Sequence, residues 1–171
     1  MTTYFAQPVD PVVLKELRMI DDAGRETGPV IDDEGGAPLR CCLRRSAPGE
    51  RIALVSYAPL RRWAARTGAD PGAYDEQGPV FIHADECVGP APDAGLPFTD
   101  DHRTVRRYSA EGYILGGRLV ERPEGFEEFE EFDVFEAFTA AFTEAFADPE
   151  VALVHVRAVE YGCFLYEVGK R

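Results

Sequence analysis

The residues able to coordinate a metal, attack a carbon or grip an anion are few. They are four cysteines, Cys41, Cys42, Cys87 and Cys163, three histidines, His83, His102 and His155, and a set of arginines that includes Arg157. Thiolates and imidazoles are the soft donors of zinc sites, and a cysteine beside a histidine is also the pair used in nucleophilic catalysis. Only His83-x-x-x-Cys87 brings a histidine and a cysteine close in sequence. A zinc finger needs two clusters of closely spaced ligands, so the spacing predicts no metal and no cofactor. Were a metal present, His83, Cys87 and Cys42 would be its first candidates. Neighbouring Cys41 and Cys42 are poorly placed to bridge each other, and the expectation is free thiols that pack as small hydrophobes.

These residues need strands to position them. His83 closes the apolar run Pro79-Val80-Phe81-Ile82-His83-Ala84, with Cys87 in the loop beyond. His155 and Arg157 lie two apart in Val151–Ala158 and so share a face. Burying an imidazole beside a guanidinium requires either a carboxylate partner or an anionic ligand. The reading is a small-molecule or anion-binding domain with His83, His155 and Arg157 in a pocket at one end of an antiparallel sheet. Cys87 and Cys42 are further ligand-binding candidates. Two alternatives stay open. One is a hydrolytic or redox enzyme using Cys87 or Cys42 beside His83, with its catalytic residues unassigned. The other is a protein-interaction module using the acidic segment 121–150. No Gly-x-Ser-x-Gly elbow, phosphate-binding loop or dinucleotide fingerprint occurs.

The chain has 171 residues, enough for one domain spanning 1–171 with a real core. Its 19 aromatics exclude a disordered chain, and no apolar run is long enough for a membrane span. The first residues lack a basic and an apolar signal region, so a cytoplasmic location is expected. The net charge of −13 argues against nucleic acid as a partner. That total is uneven: segment 121–150 carries eleven acids against Arg122, and segment 40–66 carries seven arginines against Glu50. The arginines either pair internally or form an anion-binding surface.

The predicted fold class is α+β, a mostly antiparallel sheet of hairpins that could curl toward a barrel. Hairpins are expected for 39–45 with 51–57, 104–109 with 113–120, and 151–158 with 163–168. Asp10-Pro11 should open a short helix, and Leu60–Thr67 a second one closed by Gly68. Segment 25–38 reads as loop. Phe135, Phe138, Phe142 and Phe146 recur at helical spacing, which predicts an amphipathic helix covering one sheet face. Segment 121–131, which precedes it, reads as an exposed approach.

Three stretches in order resemble one family. They are Arg40-x-Cys42-Leu43-Arg44 with Pro48-Gly49-Glu50; Gly78-Pro79-Val80-Phe81-Ile82-His83-Ala84-x-x-Cys87; and Val154-His155-Val156-Arg157-Ala158 with Gly162-Cys163. Together they resemble the bacterial domain of unknown function 1203, which spans a whole chain of this length. The resemblance implies a bacterial, cytosolic, single-domain protein and supplies no activity. It also implies a further cysteine where this chain has Leu39, so one potential metal ligand is missing here.

Overall fold

The computed structural model describes residues 1–122 and 131–171. Most of the expected acidic approach, with Glu127, Glu128 and Glu130, lies outside the described residues. The architecture is α+β and is built on two open antiparallel sheets. The larger sheet has the order β1-β8-β7-β5-β6, from β1 (Tyr4–Gln7), β5 (Arg103–Ser109), β6 (Ile114–Val120), β7 (Val151–Ala158) and β8 (Phe164–Lys170). The smaller runs β2-β3-β4, from β2 (Val30–Asp32), β3 (Glu50–Tyr57) and β4 (Gly78–His83). Both sheets keep free edges, so no barrel closes.

The β5–β6 and β7–β8 hairpins form as their alternating apolar residues predict. In β6, Gly116 lets the strand pass its neighbour: a Cβ there would lie 2.5 Å from Nη2 of Arg107. The Phe-striped helix is α3 (Glu131–Ala147). It presents Phe138, Ala141, Phe142 and Ala145 to Val105, Val154, Val156, Leu165 and Val168 of the large sheet. Tyr4 of β1 closes this core from the side, with its ring edge-on to Phe142 and stacked on Phe146. Phe135 stands outside it, 46% exposed. Among the described residues, no helix is long and apolar enough to cross a membrane.

The second core lies under the small sheet. Helix α1 (Pro11–Leu17) is opened by Asp10, whose carboxylate accepts the Val12 N–H at 2.8 Å. It lays Leu14 and Leu17 against Ile52, Val55, Val80 and Ile82. Phe164 of β8 reaches into the same cluster and packs edge-on to Tyr57, which joins the two sheets. Helix α2 (Pro59–Thr67) ends at Gly68, whose φ of 78° is the left-handed cap that glycine allows. Its Leu60 and Trp63 pack on Tyr108 and Leu153.

Three expectations are corrected. Segment 39–45 is a tight turn, and the partners of β3 are β2 and β4. Cys41, Cys42 and Leu43 are all buried, so the alternation a strand requires is absent. Leu39 N–H donates to Arg44 O and Leu43 N–H to Leu39 O, both at 2.9 Å, and Leu43 takes φ 56°. The β4 strand, whose continuous apolar run predicts burial on both faces, is buried on one face only, at Val80 and Ile82, while Phe81 and His83 share the half-buried face. Segment 25–38 contributes β2, whose residues pair with β3 between turn-rich flanks.

His155 sits at the centre of the large sheet with its ring edge-on to both Tyr108 and Phe164. Burial, then the charges of Arg157 and Arg106, push its pKa down to about 3, so it is neutral in the folded protein. The unfolded chain binds a proton near pH 6.5 that the native state refuses. The stability this contributes is complete above about pH 6.5 and is lost as pH falls toward 3. Denaturant unfolding across that window should show uptake of about one proton, and His155→Asn should remove that contribution to the slope. Phe142→Ala should cost about 3–5 kcal/mol in the same assay, and Phe135→Ala within about 0.5 kcal/mol.

Candidate metal centre

The tight turn after Leu39 is fastened to β4. Arg40 N–H donates to Phe81 O at 2.9 Å, and Leu39 bridges Phe81 in parallel fashion. This contact sets Cys41 and Cys42 against the last residue of β4, His83. The loop leaving β4 then brings back Cys87. One donor atom from each of Cys41, Cys42, His83 and Cys87 lies within 4.8 Å of all the others. Cys41 Sγ and Cys42 Sγ are 4.0 Å apart, and His83 Nδ1 is 3.4 Å from the first and 3.7 Å from the second. Both adjacent cysteines are buried, and His83 and Cys87 are half-buried.

The shell around these donors aims them inward. Nε2 of His83 lies 3.3 Å from Glu50 Oε1. With the ring proton on Nε2, donated to that carboxylate, the Nδ1 lone pair faces the sulfurs. Glu50 is itself fixed by both Arg44 nitrogens, at 2.6 and 3.0 Å, and by the Ala47 N–H at 2.7 Å. The Pro48-Gly49 turn makes this possible, since Gly49 at φ 88° folds Glu50 back over Ala47. The Arg44 pair, helped by the Ala47 amide, holds the Glu50 carboxyl down to about 2. The backbone N–H of His83 points at Cys41 Sγ, 3.2 Å away. Arg18 caps the corner through Nε to His83 O at 3.1 Å.

Without a cation the two neighbouring thiols cannot ionise together. The hydrogen bond from Cys41 pulls the Cys42 thiol down, aided by the Arg44 amide and the charge of Arg44. The same bond and burial push Cys41 up. A divalent cation removes this conflict. Ideal tetrahedral zinc, with bonds of about 2.3 Å to sulfur and 2.0–2.1 Å to nitrogen, sets donor separations of about 3.6–3.8 Å. The three separations quoted above straddle that range, and three thiols with one imidazole are an ordinary structural-zinc donor set. Cys87 completes the set within 4.8 Å, so the four residues could hold a divalent cation.

Of the residues singled out from the sequence, His83, Cys87 and Cys42 come together. His155 and Arg157 do not join them. His155 is packed between aromatic rings in the large sheet, and its Nδ1 has no hydrogen-bond partner among the described residues. Arg157 donates to Gly162 O at 2.8 and 3.1 Å and pairs with Glu76 at 3.0 Å. The carboxylate therefore answers the Arg157 charge, and no described cavity is lined by His83, His155 and Arg157 together. Cys41 and Glu50 were the residues missed. Cys41 supplies a fourth donor, and Leu39 is fully buried in the apolar core. Most arginines of segment 40–66 pair internally, Arg44 with Glu50, Arg45 with Asp100, Arg51 with Asp85, Arg61 with Asp75 and Arg62 with Asp22.

No curated protein and no solved structure matches this chain. A family does match it, over residues 36–170, a stretch that holds all four donors and both central hairpins. The chain belongs to the family described as protein of unknown function (DUF1203).

Proposed function

We propose that this domain is a zinc protein, with one Zn²⁺ held by Cys41, Cys42, His83 and Cys87. The observation that carries the reading is the mutual approach of four soft donors within 4.8 Å, with a carboxylate behind the imidazole. A carboxylate–histidine pair of this kind orients and strengthens a metal-bound imidazole. Four protein ligands fill a tetrahedral site, which is the closed arrangement of structural rather than catalytic zinc. The ion supplies positive charge that lets all three thiols ionise in a half-buried place. The chain's own contribution is to tie the turn at Cys41-Cys42 to β4 and to the loop after it. The ion would thus hold together a segment with little regular structure of its own.

A second reading is favoured by one observation, the approach of His83 Nδ1 to Cys42 Sγ at 3.7 Å, where the hydrogen bond from Cys41 pulls the Cys42 thiol down. In that case the pair acts as a nucleophile and base without metal, as in the enzyme alternative. The two readings separate in one preparation.

Tag-free protein purified without chelator should contain about one zinc per chain by elemental mass spectrometry. Cys42→Ser and Cys87→Ser should lose it, while Cys163→Ser should keep it. A metal-free wild type with one thiol alkylated rapidly at pH 6 would instead support the nucleophile. Glu50→Gln should keep the ligands yet weaken zinc affinity by about 10–100-fold in competition with a chromogenic chelator. Zinc should leave as pH falls, because the ligands take up protons that the bound ion excludes.

A further inference from the structure

A different part of the molecule carries a second site. Between β2–β3 and the loop before β8 lies a cleft of about 680 Å³. Its walls are apolar, from Ile31, Leu54, Phe81 and Leu165. Ile31 and Leu54 are 55% and 54% exposed, a large apolar surface left in water. Arg40, Arg45 and Arg103 also line the cleft, against the carboxylates of Asp32 and Glu160.

Those carboxylates are committed elsewhere, and one guanidinium is left over. Asp32 accepts from Ser46 Oγ and from the Gly35 amide. Glu160 accepts from Arg103 at 3.1 Å through both oxygens, and Asp100 takes Arg45. Arg40 is 1% exposed and has no carboxylate partner among the described residues. Its Nε donates to Phe164 O at 2.8 Å, Nη1 to Pro38 O, and Nη2 to Cys163 Sγ at 3.5 Å. Each Arg40 nitrogen thus has one acceptor, and of the five N–H donors of a guanidinium two remain without one among the described residues. An uncompensated buried charge costs several kcal/mol, and its natural complement is an anion.

The geometry points to a small monocarboxylate with an apolar chain as the occupant. Its head would sit against the Arg40–Cys163 floor and its tail along Ile31, Leu54 and Phe81. Volume, apolar walls and a single unanswered cation together describe a ligand pocket for an anionic amphiphile. Arginine is suited to gripping a carboxylate through two parallel N–H bonds. This site shares no residue with the four donors and stands whether or not they hold zinc.

The test is calorimetric titration of the full chain with decanoate, decanol and decylamine. Decanoate should bind with one saturable site, about tenfold or more tighter than decanol, with decylamine weakest. Ile31→Glu and Leu54→Glu change exposed side chains and should leave the fold intact while weakening decanoate by about tenfold. Arg40→Met, provided its circular dichroism is native, should erase the preference for decanoate over decanol. Equal binding of decanoate and decanol, no binding of either, or undiminished decanoate affinity in both glutamate variants would overturn the assignment. If Arg40→Met does not fold, the glutamate pair and the head-group series decide the matter alone.

Discussion

Three sulfurs and an imidazole nitrogen crowded within 4.8 Å can carry little negative charge unless a cation sits among them. The turn 39–45, the turn at Pro48-Gly49 and the loop after β4 serve that arrangement. The turn 39–45 holds a leucine at positive φ and buries two adjacent thiols, both unfavourable for an isolated turn. Its return is the juxtaposition of Cys41 and Cys42 with the end of β4. The Glu50–Arg44 pair then holds His83 in the orientation that turns Nδ1 inward. A metal would convert a costly turn into a staple, because binding free energy to such a site is also folding free energy.

The regular parts of the fold were readable from periodicity. Two hairpins showed runs of apolar alternation with turn residues between them, and the phenylalanine spacing marked α3. Even there the pattern spoke of the helix and not of its burial. Phe135 repeats with the stripe yet is 46% exposed, while Val134 and Phe138 on either side of it pack on the core. Segment 39–45 misled because its residues are apolar enough for a strand, while the bond that fastens it to β4 reaches Phe81, about forty residues away. Short strands such as β1 and β2 are defined by their partners rather than by their own residues.

The candidate site was half legible. His83-x-x-x-Cys87 named the pair on β4 and its loop, and Cys42 was the third donor. Cys41 looked like a core thiol, since nothing in an adjacent pair shows that both sulfurs can face one point. His155 and Arg157 looked like site residues because they share a strand face. The structure answers each locally, with aromatic rings around the one and Glu76 beside the other. Arg40 showed the opposite error: in sequence it belonged to a basic stretch, yet among the described residues it is the arginine buried without a carboxylate. It spans from the turn 39–45 to Phe164 O of β8 and so links the two sheets at the floor of the cleft.

The central claim is that the four donors close on one ion, and zinc K-edge X-ray absorption of the purified protein tests it most directly. The account predicts a four-atom shell of three sulfurs at about 2.3 Å and one imidazole nitrogen at about 2.0 Å. A shell made only of oxygen and nitrogen, or a native protein with no zinc edge at all, would contradict it.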